Sequence, residues 1–172
     1  MAPQQTAWPE TNADARRSRW GLAGLLIICL AVLIAPPTHA DDRGKAVYKK
    51  ANCVGCHKWH GAGGGGYGGT ALSLRKMELT REQFLEVVRC GRPATRMPYH
   101  DRRAWKKQMP CFEMTRQEIG SDAPPKAAKL LRPEEIDAVA DYVYAAVVGK
   151  GDPTKAECVA FWGENARECK RF

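Results

Sequence analysis

Apolar residues run along this chain in three rhythms. The first is unbroken: Gly21 to Ala35 holds only apolar and small residues, with Arg16, Arg17 and Arg19 ahead of it and Pro36-Pro37 behind. The second is amphipathic. Thr80-Arg81-Glu82-Gln83 has the form of a capping box, Phe84, Leu85, Val87 and Val88 follow as apolar positions, and Cys90-Gly91 closes the pattern, which predicts a helix. The third begins at Pro133 with Glu134 and Glu135 beside it, a composition suited to a first helical turn. Ile136, Val139, Tyr142 or Val143, and Val147 then recur at helical spacing. A shorter helix is predicted from Asp41-Asp42, whose charges suit its N-terminus, to about Lys50. Gly61 to Gly69 holds seven glycines and cannot be helix. No alternating pattern of useful length predicts a strand, so the expected fold is mostly α. Two stretches lie outside the periodic segments: Tyr99 to Leu131, and a tail from Gly149 to Phe172.

The first rhythm reads as an export signal rather than as part of the fold. A basic segment, an apolar run and the small residues of Thr38-His39-Ala40 make the three-part pattern of a secretory signal, with cleavage expected after Ala40. The run is short for a membrane span, which needs about 20 apolar residues, so no stable membrane insertion is expected after cleavage. The domains expected are thus 1–40 as signal, 41–148 as the folded domain and 149–172 as a C-terminal extension. Asp41 to Phe172 is 132 residues (172 minus 40), enough for one domain. Its net charge is +7: the whole chain carries +8, and residues 1–40 hold three Arg against Glu10 and Asp14. Size and composition exclude a large multidomain enzyme, a polytopic membrane protein and a fibrous repeat. With an extracytoplasmic, predicted periplasmic, location no nucleic-acid partner is expected.

Six cysteines remain after Ala40: Cys53, Cys56, Cys90, Cys111, Cys158 and Cys169. Two of them belong to Cys53-Val54-Gly55-Cys56-His57, a Cys-x-x-Cys-His motif, the attachment signature of c-type haem. On a helical turn, residues i, i+3 and i+4 share a face. Two thiols so placed can form thioethers to the vinyl groups of one haem, and the His that follows can ligate the iron. A thioredoxin-like pair would want a strand before and a helix after it, and a zinc site would want a second Cys or His pair at close spacing. The cofactor predicted is one covalently bound haem c per chain, on Cys53 and Cys56, with His57 as proximal iron ligand.

At these residues the chain resembles the class I monohaem c-type cytochromes. The resemblance covers roughly Asp41 to Met97 and Arg132 to Val148. Gly44 and Tyr48 match the small residue and aromatic that the family carries before its motif, and Tyr48 is expected to meet the face of the last helix. Gly69-Thr70-Ala71-Leu72 stands where the family has Gly-Pro-x-Leu. The family's proline presents a backbone carbonyl to the proximal His, and Thr70 keeps a carbonyl. The resemblance implies a helical fold around the haem and a Met-Pro pair as source of the distal ligand.

Met97-Pro98 is the leading pair, 40 residues after His57 (97 minus 57) and beyond an intervening helix. Pro98 keeps Met97 out of a helix, and a neutral thioether raises the potential. Met109-Pro110 is the second such pair; Met77 and Met114 lack the proline; His60 and His100 would lower the potential, and His60 is expected at the surface beside the glycine loop. With both ligand positions filled the iron has no vacancy for substrate, so the function expected is electron transfer and not catalysis. The reading is a periplasmic one-electron carrier between a dehydrogenase and a downstream acceptor. The alternatives are a dedicated cytochrome subunit of a dehydrogenase or terminal oxidase, and an open-site haem enzyme or gas sensor. Local disulfides, Cys90 with Cys111 and Cys158 with Cys169, are expected for the other four cysteines. Arg89, Arg92, Arg96, Arg102, Arg103, Lys106 and Lys107 crowd the segment around Met97, which suits redox partners with acidic docking surfaces. Trp59, Tyr67, Tyr99 and Trp105 are expected to pack around the haem pocket.

Overall fold

The protein is described here from a computed structural model covering residues 39–66 and 69–172. The export-signal features of residues 1–38, and Tyr67, lie outside the described residues. In chain order the elements are α1 (His39–Lys50), α2 (Cys53–His57), strands β1 (Gly64–Gly66) and β2 (Gly69–Ala71), α3 (Arg81–Cys90), β3 (Tyr99–Asp101), a short α4 (Arg116–Ile119), β4 (Lys126–Leu131), α5 (Pro133–Ala146) and α6 (Lys155–Trp162), with 3-10 turns at Gly120–Asp122 and Arg167–Arg171.

Helices α1 and α5 cross as the central pair, and one glycine lets them. A Cβ on Gly44 would lie 2.1 Å from the Ala138 carbonyl oxygen and 2.4 Å from the Tyr142 Cβ. Only a bare Cα permits that approach. Tyr48 stacks at the crossing, its ring 5.7 Å from that of Tyr142. The expected contact between Tyr48 and the last helix is therefore present. Helix α3 packs on α5 as well, adding Phe84, Leu85 and Val88 to a buried cluster with Val47, Ile136, Val139 and Val143. Each such side chain contributes about 1.5–3 kcal/mol by leaving water. The start of α3 matches the capping-box reading: the Thr80 hydroxyl accepts from Gln83 N, and the Gln83 side chain accepts from Thr80 N. Pro133 occupies the first turn of α5.

A second, smaller cluster gathers Cys90, Ala104, Trp105 and Cys111, with Tyr99, Phe112, Met114 and Ile119 packed against it. The Cys90–Cys111 disulfide runs through it, and the Trp105 indole N–H donates to the Cys90 carbonyl at 2.8 Å. The segment after Met97 is thus a small folded insert rather than an extended loop. Trp105 and Tyr99 pack within it. Its strand β3 pairs in parallel with β4, Tyr99 opposite Lys126 and Asp101 opposite Leu131. The glycine stretch forms an antiparallel hairpin, Gly64 opposite Ala71 and Gly66 opposite Gly69. The mostly helical expectation therefore gains strands that no alternation announced, because they are too short or too glycine-rich to show one.

The tail is also folded. The second disulfide, Cys158–Cys169, ties α6 to the final 3-10 turn. Phe161 on α6 inserts between Tyr48, Trp59 and Tyr142. The Lys45 ammonium donates to the Ala160 carbonyl at 3.1 Å and that of Lys49 to the Phe161 carbonyl at 2.6 Å, so α1 caps the end of α6. Among the described residues no helix is long and apolar enough to cross a membrane.

Candidate functional site

The Cys53–His57 motif forms its own short helix, entered through Asn52 in a left-handed conformation (φ 62°) and left through Lys58 (φ 64°). Those two reversals detach the motif from α1 and present its face. Cys53 and Cys56 are unbonded and half-buried, while the other four cysteines of the described chain are paired. Burial pushes the Cys53 thiol up to about 12, so it rests protonated. The His57 Nδ1 lies 3.1 Å from the Leu72 carbonyl oxygen, which leaves Nε2 as the nitrogen with a lone pair to offer. Burial lowers the His57 pKa, and the bond to Leu72 works the other way. The hairpin lies against the motif: a Cβ on Gly66 would come 2.8 Å from the Gly55 carbonyl oxygen. Tyr48 fastens the motif's exit, its hydroxyl donating to the Lys58 carbonyl at 2.9 Å.

The Leu72 contact corrects the expected register. The carbonyl that orients His57 comes from Leu72, not Thr70. Leu74 is the leucine buried in the core, at 8% exposure, while Leu72 is 59% exposed. Ala71-Leu72-Ser73-Leu74 therefore does the work assigned to Gly69-Thr70-Ala71-Leu72. The signal was present as a second leucine two positions on.

Met97 stands apart from the motif in chain and element, half-buried between α3 and β3. Its neighbours hold its backbone. Arg92 N donates to the Met97 carbonyl at 3.1 Å, and Met97 N donates to the Thr95 hydroxyl at 3.2 Å, which in turn donates to the Arg92 carbonyl at 2.7 Å. Gly91, with φ +72°, would place a Cβ 2.8 Å from both the Met97 oxygen and the Pro124 ring. Ala94 N and Tyr99 N donate to the carbonyls of Asp122 and Pro125, so the insert grips the Met97 loop from behind. Met109 sits instead in a turn beside Arg103, Lys106 and Gln108, and Met114 packs in the insert. Met77 packs on the main core. His100 is buried with Nδ1 near the Lys129 carbonyl. His60 accepts from Ala62 N and meets the Trp59 ring edge-on, half-buried rather than at the surface.

The donor set suits a haem joined through thioethers. Two free thiols one helical turn apart, beside an imidazole with one nitrogen already committed, is the chemistry that attachment requires. Among the described residues no group of three or more His, Cys, Asp or Glu side chains converges as a site for a bare metal ion. Around Met97, Arg92, Arg96, Arg102, Arg103, Lys106 and Lys107 are exposed and Arg89 is half-buried. Asp101 is the single acidic residue from 89 to 112, and it is held by Arg103 at 2.9 Å.

Residues 39–119 match the protein family described as cytochrome c oxidase, cbb3-type, subunit III. No curated protein and no solved structure gives a match.

Proposed function

From the c-type cytochrome domain that residues 39–119 carry, we propose that this chain binds one haem c covalently and works as a periplasmic one-electron carrier. Such a haem, when bound, supplies an iron that gains and loses one electron. Cys53 and Cys56 are the thiols that join its two vinyl groups. His57 binds the iron through Nε2, with the ring held by the Leu72 carbonyl, and Met97 is the second iron ligand. The observation that carries the reading is the pairing state of the cysteines: the two in the motif stay free beside an oriented imidazole, and the other four of the described chain are bridged. The exposed cations of residues 92–107 suit a partner with an acidic docking face, which they would steer into encounter.

The test is the mass and haem stain of the exported chain. The wild type should carry one haem that survives denaturation, and Cys53→Ala with Cys56→Ala should carry none. A haem stain retained by the double variant defeats the assignment. The matched family's description favours a second reading, a cytochrome subunit of an oxidase complex, with the insert and tail as contact surfaces. A solubilised complex that co-purifies with the chain at fixed stoichiometry selects that reading; a chain recovered alone selects the carrier.

A further inference from the structure

The tail meets the motif through one buried cation. Arg75 is 6% exposed. Its Nε donates to the Gly151 carbonyl, and its Nη1 to the His60 carbonyl at 3.0 Å. Its Nη2 reaches the carbonyls of Lys150 (3.1 Å) and Asp152 (3.2 Å) and the Glu157 carboxylate (3.0 and 3.2 Å). The backbone closes the clasp, Gly149 N donating to the Arg75 carbonyl at 3.0 Å. A planar fork of donors can serve this many acceptors at once, and an ammonium cannot.

The clasp falls on the segment that presents the Leu72 carbonyl. Within four residues, Leu72 accepts from His57, Leu74 N donates to the Gly61 carbonyl at 2.7 Å, and Arg75 holds the His60 carbonyl. One side of segment 72–75 is thus stitched to the motif and its exit, and the other to residues 149–157. The tail lies beyond the 39–119 match, yet it supplies four of the five groups that the Arg75 side chain bonds.

We propose that Arg75, anchored by Glu157 and the carbonyls of residues 150–152, is a positioning residue for His57. The proposal rests on the reading of His57 as iron ligand. The carbonyl that a ligating imidazole bonds fixes ring orientation and raises ligand basicity. A segment released from the tail lets the Leu72 carbonyl drift, and His57 becomes a weaker donor. The oxidised iron then loses stabilisation and the potential rises.

The experiment compares holoprotein of the wild type with Arg75→Met, Arg75→Lys and Glu157→Gln. Glutamine keeps the Glu157 contact to Thr154 N at the start of α6 while removing the negative charge that faces Arg75. Three quantities are read: exchange of the His57 Nδ1 proton by NMR of the reduced protein, potential by voltammetry, and melting temperature. Arg75→Met and Glu157→Gln should speed the exchange on the order of tenfold, the scale of one weakened hydrogen bond, and raise the potential. Arg75→Lys should fall between them and the wild type. If Arg75→Met does not fold, Glu157→Gln decides alone. Variants that melt earlier while exchange and potential stay at wild-type values overturn the proposal and leave a clasp that only secures the tail. A wild-type chain with no covalent haem by mass overturns the haem reading first, before any variant is compared.

Discussion

Neighbours hold the backbone of Met97, and its side chain is half-buried. Thr95, Arg92 and Gly91 fix where the residue sits, and in the proposed reading its thioether is the second iron ligand. Met97→Ala should therefore remove the near-infrared sulfur-to-iron band of the oxidised holoprotein, lower the potential and open the iron to carbon monoxide. Met109→Ala should change none of these, because Met109 belongs to a cationic turn. Loss of the band in Met109→Ala alone would transfer the assignment. Glu135 gives a prediction of another kind. It accepts from Arg132 N at 2.9 Å and pairs with Lys50. The backbone hydrogen bond first and then the Lys50 ammonium pull its pKa down to about 2. A depressed acid adds stability that is present above the ordinary glutamate range of about 4.3 and fades as pH falls towards 2. Melting temperature should fall more steeply over that window in the wild type than in Glu135→Gln. Parallel curves would sever the link. Some of this scale was legible in sequence. Cys53, Cys56 and His57 stand out by spacing and Met97 by the proline after it, a second leucine at Leu74 hints at the Leu72 register, and the contacts of the Arg75 side chain leave no spacing to read.

Elements were legible wherever a pattern ran long enough to repeat. Helices α1, α3 and α5 follow from caps, acidic first turns and apolar spacing, and Gly44 marks the α1–α5 crossing. Replacing it with alanine forces a Cβ into the Ala138 carbonyl, and unlike a flexible side chain that backbone cannot swing aside. Overpacking of this kind costs about 1–3 kcal/mol, so denaturant titration of Gly44→Ala should show a midpoint lowered to match. An unchanged midpoint would mean that the helices part freely. Strands β1 to β3 span three residues each, too few to establish a period of two. Strand β4 is longer, but Lys126-Ala127-Ala128-Lys129 does not alternate cleanly. The insert is stabilised by covalent chemistry as much as by pattern. Cys90 and Cys111 are 21 residues apart, and opening a loop of that size costs about 3 kcal/mol. Cys90→Ser with Cys111→Ser should show a loss near that figure in the same titration; a loss under a third of it would assign the insert's stability to Trp105 and its neighbours.

For the whole molecule, exposed positive charge and tail packing fall on different elements. The exposed cations belong to residues 92–107, before and within the insert, while the end of α6 lies against α1. Neutralising Arg102, Arg103, Lys106 and Lys107 to glutamine should slow electron exchange with a carboxylate-terminated electrode and weaken its dependence on ionic strength, since salt screens the attraction those cations supply. An unchanged rate would place the docking face elsewhere. The crowding of cations from Arg89 to Lys107 was legible in sequence, and the structure adds that six of the seven are exposed.

The Arg75 clasp has a consequence in time. A ribosome releases the chain from its N-terminus, so Cys53 to His57 leave it one hundred residues (157 minus 57) ahead of Glu157. Until residues 150–157 follow, four of the five groups that the Arg75 side chain bonds do not exist, and segment 72–75 is held from the motif side alone, through Gly61 and His60. The motif's two thiols thus pass through a period, set by translation and transit, in which they are displayed on an unfinished scaffold.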